Sequence, residues 1–395
     1  MHSSFLAAVG TGGLALAIQS SAPAAQPETY LPAGPEVVLE HLPDGAFPLR
    51  SYTGNERPSI EQVRSDALAY IEVARRSGDL RYLGYADGAL RAWESVRPPP
   101  APLLLPRAML QQARHEFDQA LATLDLLHER QPDNAQAWLT RAVVHQVRGE
   151  PDAALRSCIK LHPGGGRLIT AACIAGSARI TGDAATAYRL LRAAIRDATD
   201  HDREHIPWAL RVLAELAEIN GDPTFARACL IQALDANPGD IRTRLALADL
   251  LLRQHDAATV LEIVPADSRS PVLILRRALA ASLLGDPDLA RHQTVLEDYF
   301  AAARRRGETL HDRESALADL RIFGRPERAL AVARRNWRTQ REFADTELLL
   351  GAALACGDLA TVQQVRDWLR GHHNLDARLA AILRASAPER SGDAS

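Results

Sequence analysis

The stretch AWLTRAVVHQVRGEPDAAL, from Ala137 to Leu155, carries a glycine in the middle of a segment that is otherwise rich in helix formers. Apolar or small residues recur at helical spacing on both sides of Gly149, which predicts two amphipathic helices. Glycine accepts the left-handed conformation that ends a helix. The acidic Glu150 after it can satisfy the free N–H groups where the next helix begins. The stretch is therefore predicted to be a helical hairpin with its turn at Gly149.

The same turn recurs along the chain of 395 residues. A glycine followed by Asp, Glu or Arg, or a His-Glu or His-Asp pair in the two long gaps, returns about every 34 residues. The predicted turn residues are Gly78, His115, Gly149, Gly182, Gly221, His255, Gly285, Gly324 and Gly357. Because each turn is flanked by amphipathic segments, the sequence predicts an all-α fold, a solenoid in which every hairpin covers its neighbour.

Within the hairpins the residues resemble the tetratricopeptide repeat family. Trp138 stands at the place of the family's Trp, Ala142 and Ala154 at its small contact residues, and His145 and Cys158 at its Tyr and Phe. Two other units match through Ala108, Phe117, Ala120, Leu124 and Pro132, and through Ala214, Ala226, Leu230, Ala233 and Pro238. The resemblance covers roughly residues 60 to 385 and implies a right-handed α-α superhelix whose inner groove binds other proteins.

Beyond the repeats the sequence divides by composition. "RPPPAP", residues 97–102, breaks the helical pattern and predicts that the first hairpin is partly detached from the rest. The unit near His255 is shortened, and the unit near Gly285 has extra residues. The predicted organisation is a signal peptide at 1–24, a Pro-rich extended arm at 25–59, a first helical hairpin at 60–97, a solenoid of about eight hairpins at 103–385 and a disordered tail at 386–395.

The N-terminal segment has the pattern of an export signal. Leu6 to Ile18 is an uncharged apolar run too short for a stable membrane span, and Ala22 and Ala24 form an A-x-A cleavage site. The segment "MHSSF" before the run lacks the usual Lys or Arg. We expect a periplasmic or secreted protein, with the cytoplasm as the alternative.

The overall composition narrows the class of partner. Charged residues make up 24% of the chain and the formal net charge is −3, so no global charge indicates a nucleic-acid partner. No later apolar run is long enough to span a membrane. Lys160 is the sole lysine among 46 basic residues, which is typical of a GC-rich genome and also compatible with anion recognition. The oligomeric state is left open.

The four cysteines permit two interpretations. Their spacing contains no C-x-x-C motif, which argues against zinc or thioredoxin-like chemistry. Cys158 and Cys173 fall on predicted neighbouring helices and could pair in an oxidising compartment. Alternatively, these two cysteines, Cys229 and Cys356 are small buried apolar residues.

The sequence contains motifs that resemble catalytic or ligand-binding sites, but their positions and spacing argue against those functions. "HDREH", residues 201–205, matches the H-x-x-E-H signature of inverted zinc metallopeptidases, but it falls between two hairpins and before Pro207. "HPGGGRL", residues 162–168, lacks the Gly-Lys-Ser/Thr and the strand of a phosphate-binding loop. His372 and His373 are adjacent and are predicted to lie in a solvated loop. The sequence therefore predicts no enzyme activity, no metal site and no cofactor, with a zinc hydrolase as the minor alternative.

Repeat position predicts which side chains face the inner groove. These partner-binding candidates are Arg179, Trp208, Arg211, Glu215, Arg242, Asp249 and Arg253. A second candidate surface is an Arg-rich segment from 301 to 341, with eleven arginines against five acids, including Arg304, Arg305 and Arg306. The resulting hypothesis is a non-enzymatic scaffold that binds another protein of the bacterial cell envelope. The alternative is an assembly or secretion factor that binds an anionic polymer or envelope component through the Arg-rich segment.

The export hypothesis predicts a defined mature terminus. If Leu6 to Ile18 is the apolar part of a signal peptide, the protein isolated from its native cells is expected to begin near Ala25. Mass spectrometry of the intact protein measures this directly. A cytosolic protein that retains Met1 would contradict the hypothesis.

Overall fold

A computed structural model describes residues 57–161, 166–374 and 376–385. In these ranges the secondary structure is entirely helical, as the sequence predicts. The helices are α1 (Ile60–Ser77), α2 (Arg81–Arg91), α3 (Ala101–Ala113), α4 (Phe117–Arg130), α5 (Ala135–Val147), α6 (Pro151–Ile159), α7 (Arg167–Ala178), α8 (Ala184–Arg196), α9 (Ile206–Ile219), α10 (Pro223–Ala236), α11 (Ile241–Arg253), α12 (Ala257–Ile263), α13 (Pro271–Leu284), α14 (Leu289–Arg305), α15 (Asp312–Arg321), α16 (Pro326–Trp337), α17 (Phe343–Ala355), α18 (Leu359–Gly371) and α19 (Ala377–Ala385). The predicted signal peptide, most of the predicted arm, the tail and residues 162–165 lie outside the described residues.

The hairpins turn where the glycine pattern predicts. Each odd-numbered helix up to α17 pairs with the even-numbered helix after it. Backbone φ is 72° at Gly149, and the two histidines that replace glycine, His115 and His255, have φ of 60° and 59°. Gly182 differs, since it is absent from the residues with positive φ and the chain leaves α7 through a wider turn at 179–183. The helix stop therefore depends on the left-handed conformation at eight of the nine predicted positions.

The tetratricopeptide-like positions are the contacts of the core. Ala142, Ala154 and Cys158 are completely buried. The ring of Trp138 stacks on His128 with centroids 3.7 Å apart, and its Nε1 donates to the carbonyl of Pro132 at 2.7 Å. Small side chains at these positions allow the paired helices to approach closely.

The two irregular units also take the form that their lengths predict. Helix α12, in the shortened unit, has only 7 residues. Helix α14 has 17 residues, because the first of the extra residues, 300–305, extend it; residues 306–311 form the turn before α15.

The predicted detachment of the first hairpin is wrong. Leu103 and Leu110 of α3 belong to the same apolar cluster as the buried residues of α1 and α2. The guanidinium of Arg114 donates to the carbonyl of Leu83 at 3.3 Å. The proline-rich link changes the direction of the chain, and burial of the apolar face of α3 nevertheless joins the first hairpin to the array.

Residues far apart in sequence close the array on itself. The backbone N–H of Arg341 donates to the carbonyl of Val147 at 2.7 Å. Asn374 Nδ2 donates to the carbonyl of Ile180 at 3.1 Å, and Gln340 Nε2 lies 3.2 Å from His115 Nδ1. We term this contact the seam; it consists of His115, Val147, Gly149 and Ile180 on one side and Gln340, Arg341, Trp368 and Asn374 on the other.

Gly149 serves both the turn and the seam. A Cβ atom at this position would lie 2.9 Å from Arg341 Cβ and 2.9 Å from the ring of Trp368, closer than packed atoms tolerate. Gly221 has a similar left-handed backbone, φ 81°, but open space around it. A comparison of the two glycines therefore distinguishes the effect of backbone strain, which both share, from the effect of close packing, which only Gly149 has.

Substitution of these glycines tests the seam. Gly221→Ala is expected to lower the free energy of unfolding by about 1–2 kcal/mol, the usual strain of an L-residue in the left-handed region. Gly149→Ala is expected to cost more, because Arg341 and Trp368 must also move. Urea unfolding of the two variants measures the difference. Equal losses would show that the seam contributes nothing to stability.

His115 makes the seam sensitive to pH. Its ring stacks on Phe117 with centroids 5.5 Å apart and faces Gln340. Burial lowers the pKa of His115 to about 4; Arg313 and His311 act in the same direction, and Glu314 and Glu342 oppose them. The native state therefore holds a neutral ring over a pH range in which the unfolded chain, with a pKa near 6.5, binds a proton.

The sign of the effect follows from linkage. A depressed histidine pKa contributes stability that is fully present above about pH 6.5 and is lost as the pH falls toward 4. His115→Asn retains a residue that tolerates positive φ and removes the titration, so the variant is expected to lose less stability between pH 7 and pH 4.5 than the parent protein. His255→Asn, at an exposed turn of the same backbone conformation, is the control. Identical pH profiles for His115→Asn and the parent would contradict the assignment.

Candidate interaction surface

Charged side chains of the odd-numbered helices meet on the inner side of the hairpin array. From α7 to α17, ion pairs link each odd-numbered helix to the next odd-numbered helix. The pairs are Arg179–Glu215, Arg253–Glu218 (2.6 Å), Arg276–Asp249 (2.8 Å), Arg276–Glu314 (3.9 Å) and Arg313–Asp345 (2.6 Å). We term these residues, with Arg211, Arg242, Glu342, Glu347 and Arg378, the interior charge cluster.

The centre of the cluster is a node around Arg313. Its guanidinium binds both oxygens of Asp345, at 2.6 and 2.9 Å, and Glu342 Oε2 at 2.9 Å. Asn336 Nδ2 donates to Asp345 Oδ1 at 2.7 Å. Burial alone would lower the pKa of Arg313, but the two carboxylates raise it well above its ordinary value. The guanidinium of Arg313 is therefore a fixed positive charge at physiological pH, whereas burial raises the pKa of Asp345.

A neighbouring carboxylate is held ionised in the same way. Burial would raise the pKa of Glu314, yet His311, 3.9 Å away, and the charges of Arg313 and Arg276 lower it to about 2. Charge in this part of the interior thus persists over the whole neutral range.

The last helix adds a bridge across the interior. Arg378 of α19 lies 3.2 Å from Glu218 of α9 and 2.6 Å from Asp376. Its guanidinium also lies over the ring of Phe343, 3.6 Å from the centroid, and Arg253 lies over the same ring at 5.6 Å. Phe343 is thus positioned by two cations, which contribute favourably through its π face.

Arg211 and Arg242 differ from the other arginines of the cluster. Neither guanidinium has a hydrogen bond or an ion pair with any part of the chain that the structure describes. Burial lowers the pKa of Arg211 to about 10; the nearby Arg242 and Arg179 act in the same direction, and Asp240 and Glu342 oppose them. Arg242 is exposed to solvent.

The structure places the predicted groove residues in two environments. Arg179, Glu215, Asp249 and Arg253 lie in the ion pairs described above, and Arg211 and Arg242 lie beside them. Trp208 instead packs against the apolar clusters around α7 and α9 and is half-buried. Its partner-binding role stays a prediction without a contact that supports it.

The Arg-rich segment does not form one continuous cationic surface. Arg304, Arg305 and Arg306 are exposed at the end of α14, where Arg304 pairs with Glu297 and Arg306 with Glu308. Other arginines of the segment pair with carboxylates, most of them on other elements; these are Arg325–Glu297, Arg328–Asp319, Arg334–Asp358 and Arg335–Asp312. Arg313 is directed into the interior node.

The motifs considered for metal chemistry lie in turns. "HDREH" begins in the single 3₁₀ turn Asp200–Asp202 and ends before α9, with His201 exposed. His205 Nε2 lies 3.2 Å from Glu204 Oε1. Within the described ranges, no three His, Cys, Asp or Glu side chains are grouped so that they could hold a metal ion.

The structure distinguishes the two interpretations of the cysteines. Cys158 of α6 and Cys173 of α7 form a disulfide with their Cα atoms 5.6 Å apart, whereas Cys229 and Cys356 are free thiols. The bond links two consecutive hairpins. None of the described helices is both long and apolar enough to cross a membrane.

The sequence analysis did not identify several residues of the interior charge cluster. Arg276, Glu314 and Glu347 lie on the first helices of later hairpins, and the repeat register used for α7, α9 and α11 could have identified them. Glu342 and Asp345 belong to a capping box at the start of α17, which can be recognised only as a helix start. Nothing in the sequence indicates that this start faces Arg313.

Comparisons with known proteins give only distant similarities. No family model matches the chain, and no curated protein matches it. A solved tetratricopeptide repeat protein from Parabacteroides merdae is 17% identical, with a TM-score of 0.32 over 74% of this chain and 99% of that one. The TPR domain of P58(IPK) is 14% identical, with a TM-score of 0.23 over 81% and 97%. The repeat length, the turn residues and the buried small residues make this chain a tetratricopeptide-like array of helical hairpins.

Proposed function

We propose that this protein is a non-enzymatic scaffold that binds another protein of the bacterial cell envelope through the interior charge cluster. Stacked hairpins create an extended concave surface, and repeat proteins use such surfaces for recognition. The observation that carries the proposal is that helices from α7 to α19 contribute charged side chains to one face, beside an aromatic ring at Phe343. A mixed surface of this kind suits an extended segment or helix of a partner.

The envelope location has two independent supports. The apolar run from Leu6 to Ile18 and the site at Ala22 and Ala24 have the pattern of an export signal. The disulfide between Cys158 and Cys173 is of the kind that persists in oxidising compartments such as the periplasm.

The alternative function, binding of an anionic polymer through the Arg-rich segment, gains less support. Most of those arginines already pair with carboxylates, and exposed pairs on separate helices do not add up to a single strong field. Arg304, Arg305 and Arg306 remain the most exposed part of that segment.

Site-specific cross-linking tests the proposed function. A photo-reactive phenylalanine analogue at Glu347, a half-buried interior position, is expected to give a discrete protein adduct in the native cells. The same analogue at Leu190, 62% exposed on the even-numbered helix α8, is the control and is expected to give none. Mass spectrometry identifies the adduct. Adducts from position 190 alone, or none from position 347, would contradict binding by the interior.

A further inference from the structure

A cavity of about 200 Å³ lies at the seam, next to the turn at Gly149. We term it the seam cavity. Its walls come from two distant parts of the chain, the second and third hairpins on one side and the link between α16 and α17 on the other. The charged residues of its lining are Asp118, Arg148 and Glu150 on the first side and Arg338 and Arg341 on the second. One water molecule needs only about 10–15 Å³, so the cavity has room for a ligand of several atoms.

The two carboxylates of the lining already have partners on their own side of the seam. Arg148 Nη1 donates to Asp118 Oδ1 at 2.6 Å, and Arg148 Nε donates to Glu150 Oε1 at 2.8 Å. The other oxygen of Glu150 lies 2.6 Å from His145 Nδ1. Both acidic groups are therefore matched without the arginines of the opposite side.

On the second side, Arg338 and Arg341 have no carboxylate partner among the residues that the structure describes. Arg338 directly follows α16 and is exposed. Arg341 is half-buried; its Nε donates to the carbonyl of Trp337 at 3.1 Å, and its guanidinium lies 4.8 Å from the centroid of the Trp337 ring. Burial lowers the pKa of Arg341; Glu150 opposes this effect and Arg148 adds to it. Both guanidiniums therefore keep N–H donors that no described carboxylate uses.

Backbone contacts fix the distance between the two sides. The N–H of Arg341 donates to the carbonyl of Val147 at 2.7 Å, and the Cδ atom of Arg341 would lie 3.4 Å from a Cβ atom at Gly149. Arg341 is thus held directly beside the turn that carries Arg148 and Glu150. A ligand in the seam cavity can contact both sides of the seam at once.

The charges of the lining indicate the class of that ligand. Three arginines face two carboxylates, so the charged lining lacks one negative group. A carboxylate has two oxygens, and a single guanidinium can occupy both, as Arg276 does with Asp249. A phosphate has more oxygens and can accept hydrogen bonds from two guanidiniums together.

We propose that the seam cavity binds one phosphate-type oxyanion, held by Arg338 and Arg341 and faced by Arg148 across the seam. The bound anion links the two sides and stabilises closure of the array. This site is separate from the interior charge cluster and does not depend on the proposed function.

The full chain with added inorganic phosphate tests the site. Phosphate is expected to raise the melting temperature at constant ionic strength, because a ligand that binds the folded state stabilises it. Glycerol 3-phosphate, measured in parallel, distinguishes a free ion from a phosphate group carried on a larger molecule. Arg338→Gln changes an exposed side chain and is expected to leave the melting temperature without phosphate unchanged. The same variant is expected to weaken phosphate binding in calorimetry about tenfold or more.

Matched variants separate binding from general effects of the salt. Phosphate also stabilises folded proteins because it is excluded from their surface. Arg305→Gln, at the exposed end of α14, removes the same charge outside the cavity and is expected to retain the response of the parent. Arg341→Gln also removes the hydrogen bond to Trp337, so its phosphate affinity is compared by calorimetry and is expected to fall as well. Equal responses of the parent and Arg338→Gln, equal losses in Arg338→Gln and Arg305→Gln, or no response to either phosphate compound would overturn the proposal.

Hydrogen exchange tests the link across the seam. Phosphate is expected to slow exchange of the N–H of Arg341, which bonds to Val147, because the anion disfavours opening of the seam. The N–H of His255, which bonds to Leu252 in a turn outside the seam, is the control and is expected to exchange at an unchanged rate. Equal slowing at both positions, or none at Arg341, would contradict the bridging role.

Discussion

The hydrogen bond from the N–H of Arg341 to the carbonyl of Val147 is the contact on which the arrangement of the interior depends. Arg341 directly precedes Glu342, so the bond that closes the array also sets the start of α17. That start carries Glu342 and Asp345, the two carboxylates that bind Arg313. Gly149 permits the approach because it lacks a Cβ atom. A substitution at Gly149 is therefore expected to displace Arg341, then the start of α17, and then the two carboxylates that bind Arg313.

Ion pairs between successive hairpins have a different role from the apolar core. Removal of charges from water carries a large free-energy penalty, so a buried pair such as Arg313–Asp345 contributes little net stability. The core of buried alanines and leucines supplies the driving force for stacking. Each pair instead joins one particular hairpin to the next, because an arginine left without its carboxylate would be costly. The pairs thus favour one register of stacking over its alternatives.

The sequence predicted the features that depend on local sequence or on contacts between adjacent hairpins. The repeat period located the hairpins, and even the substitution of histidine for glycine at His115 and His255 could be predicted, because both fall on the same period. Repeat position also identified Arg179, Asp249 and Arg253, which form ion pairs between successive first helices. The seam could not be predicted, because Val147 and Arg341 meet only after several hairpins have accumulated their rotation. For the same reason the proline-rich link suggested a detached hairpin, since the apolar face of α3 that holds it appears only in three dimensions.

Position decides how strongly an arginine can act on a ligand. Arg304 and Arg306 lie at the surface, where water and salt screen their charge and acidic neighbours share it. Arg313 lies where less water surrounds it and holds Asp345 and Glu342, and a Coulomb attraction there is several times stronger than at the surface. The same enclosure makes the guanidinium unfavourable without its carboxylates and favourable with them. The enclosed arginine therefore matters more for the arrangement of the hairpins than the longer run of arginines on the surface of α14 to α16.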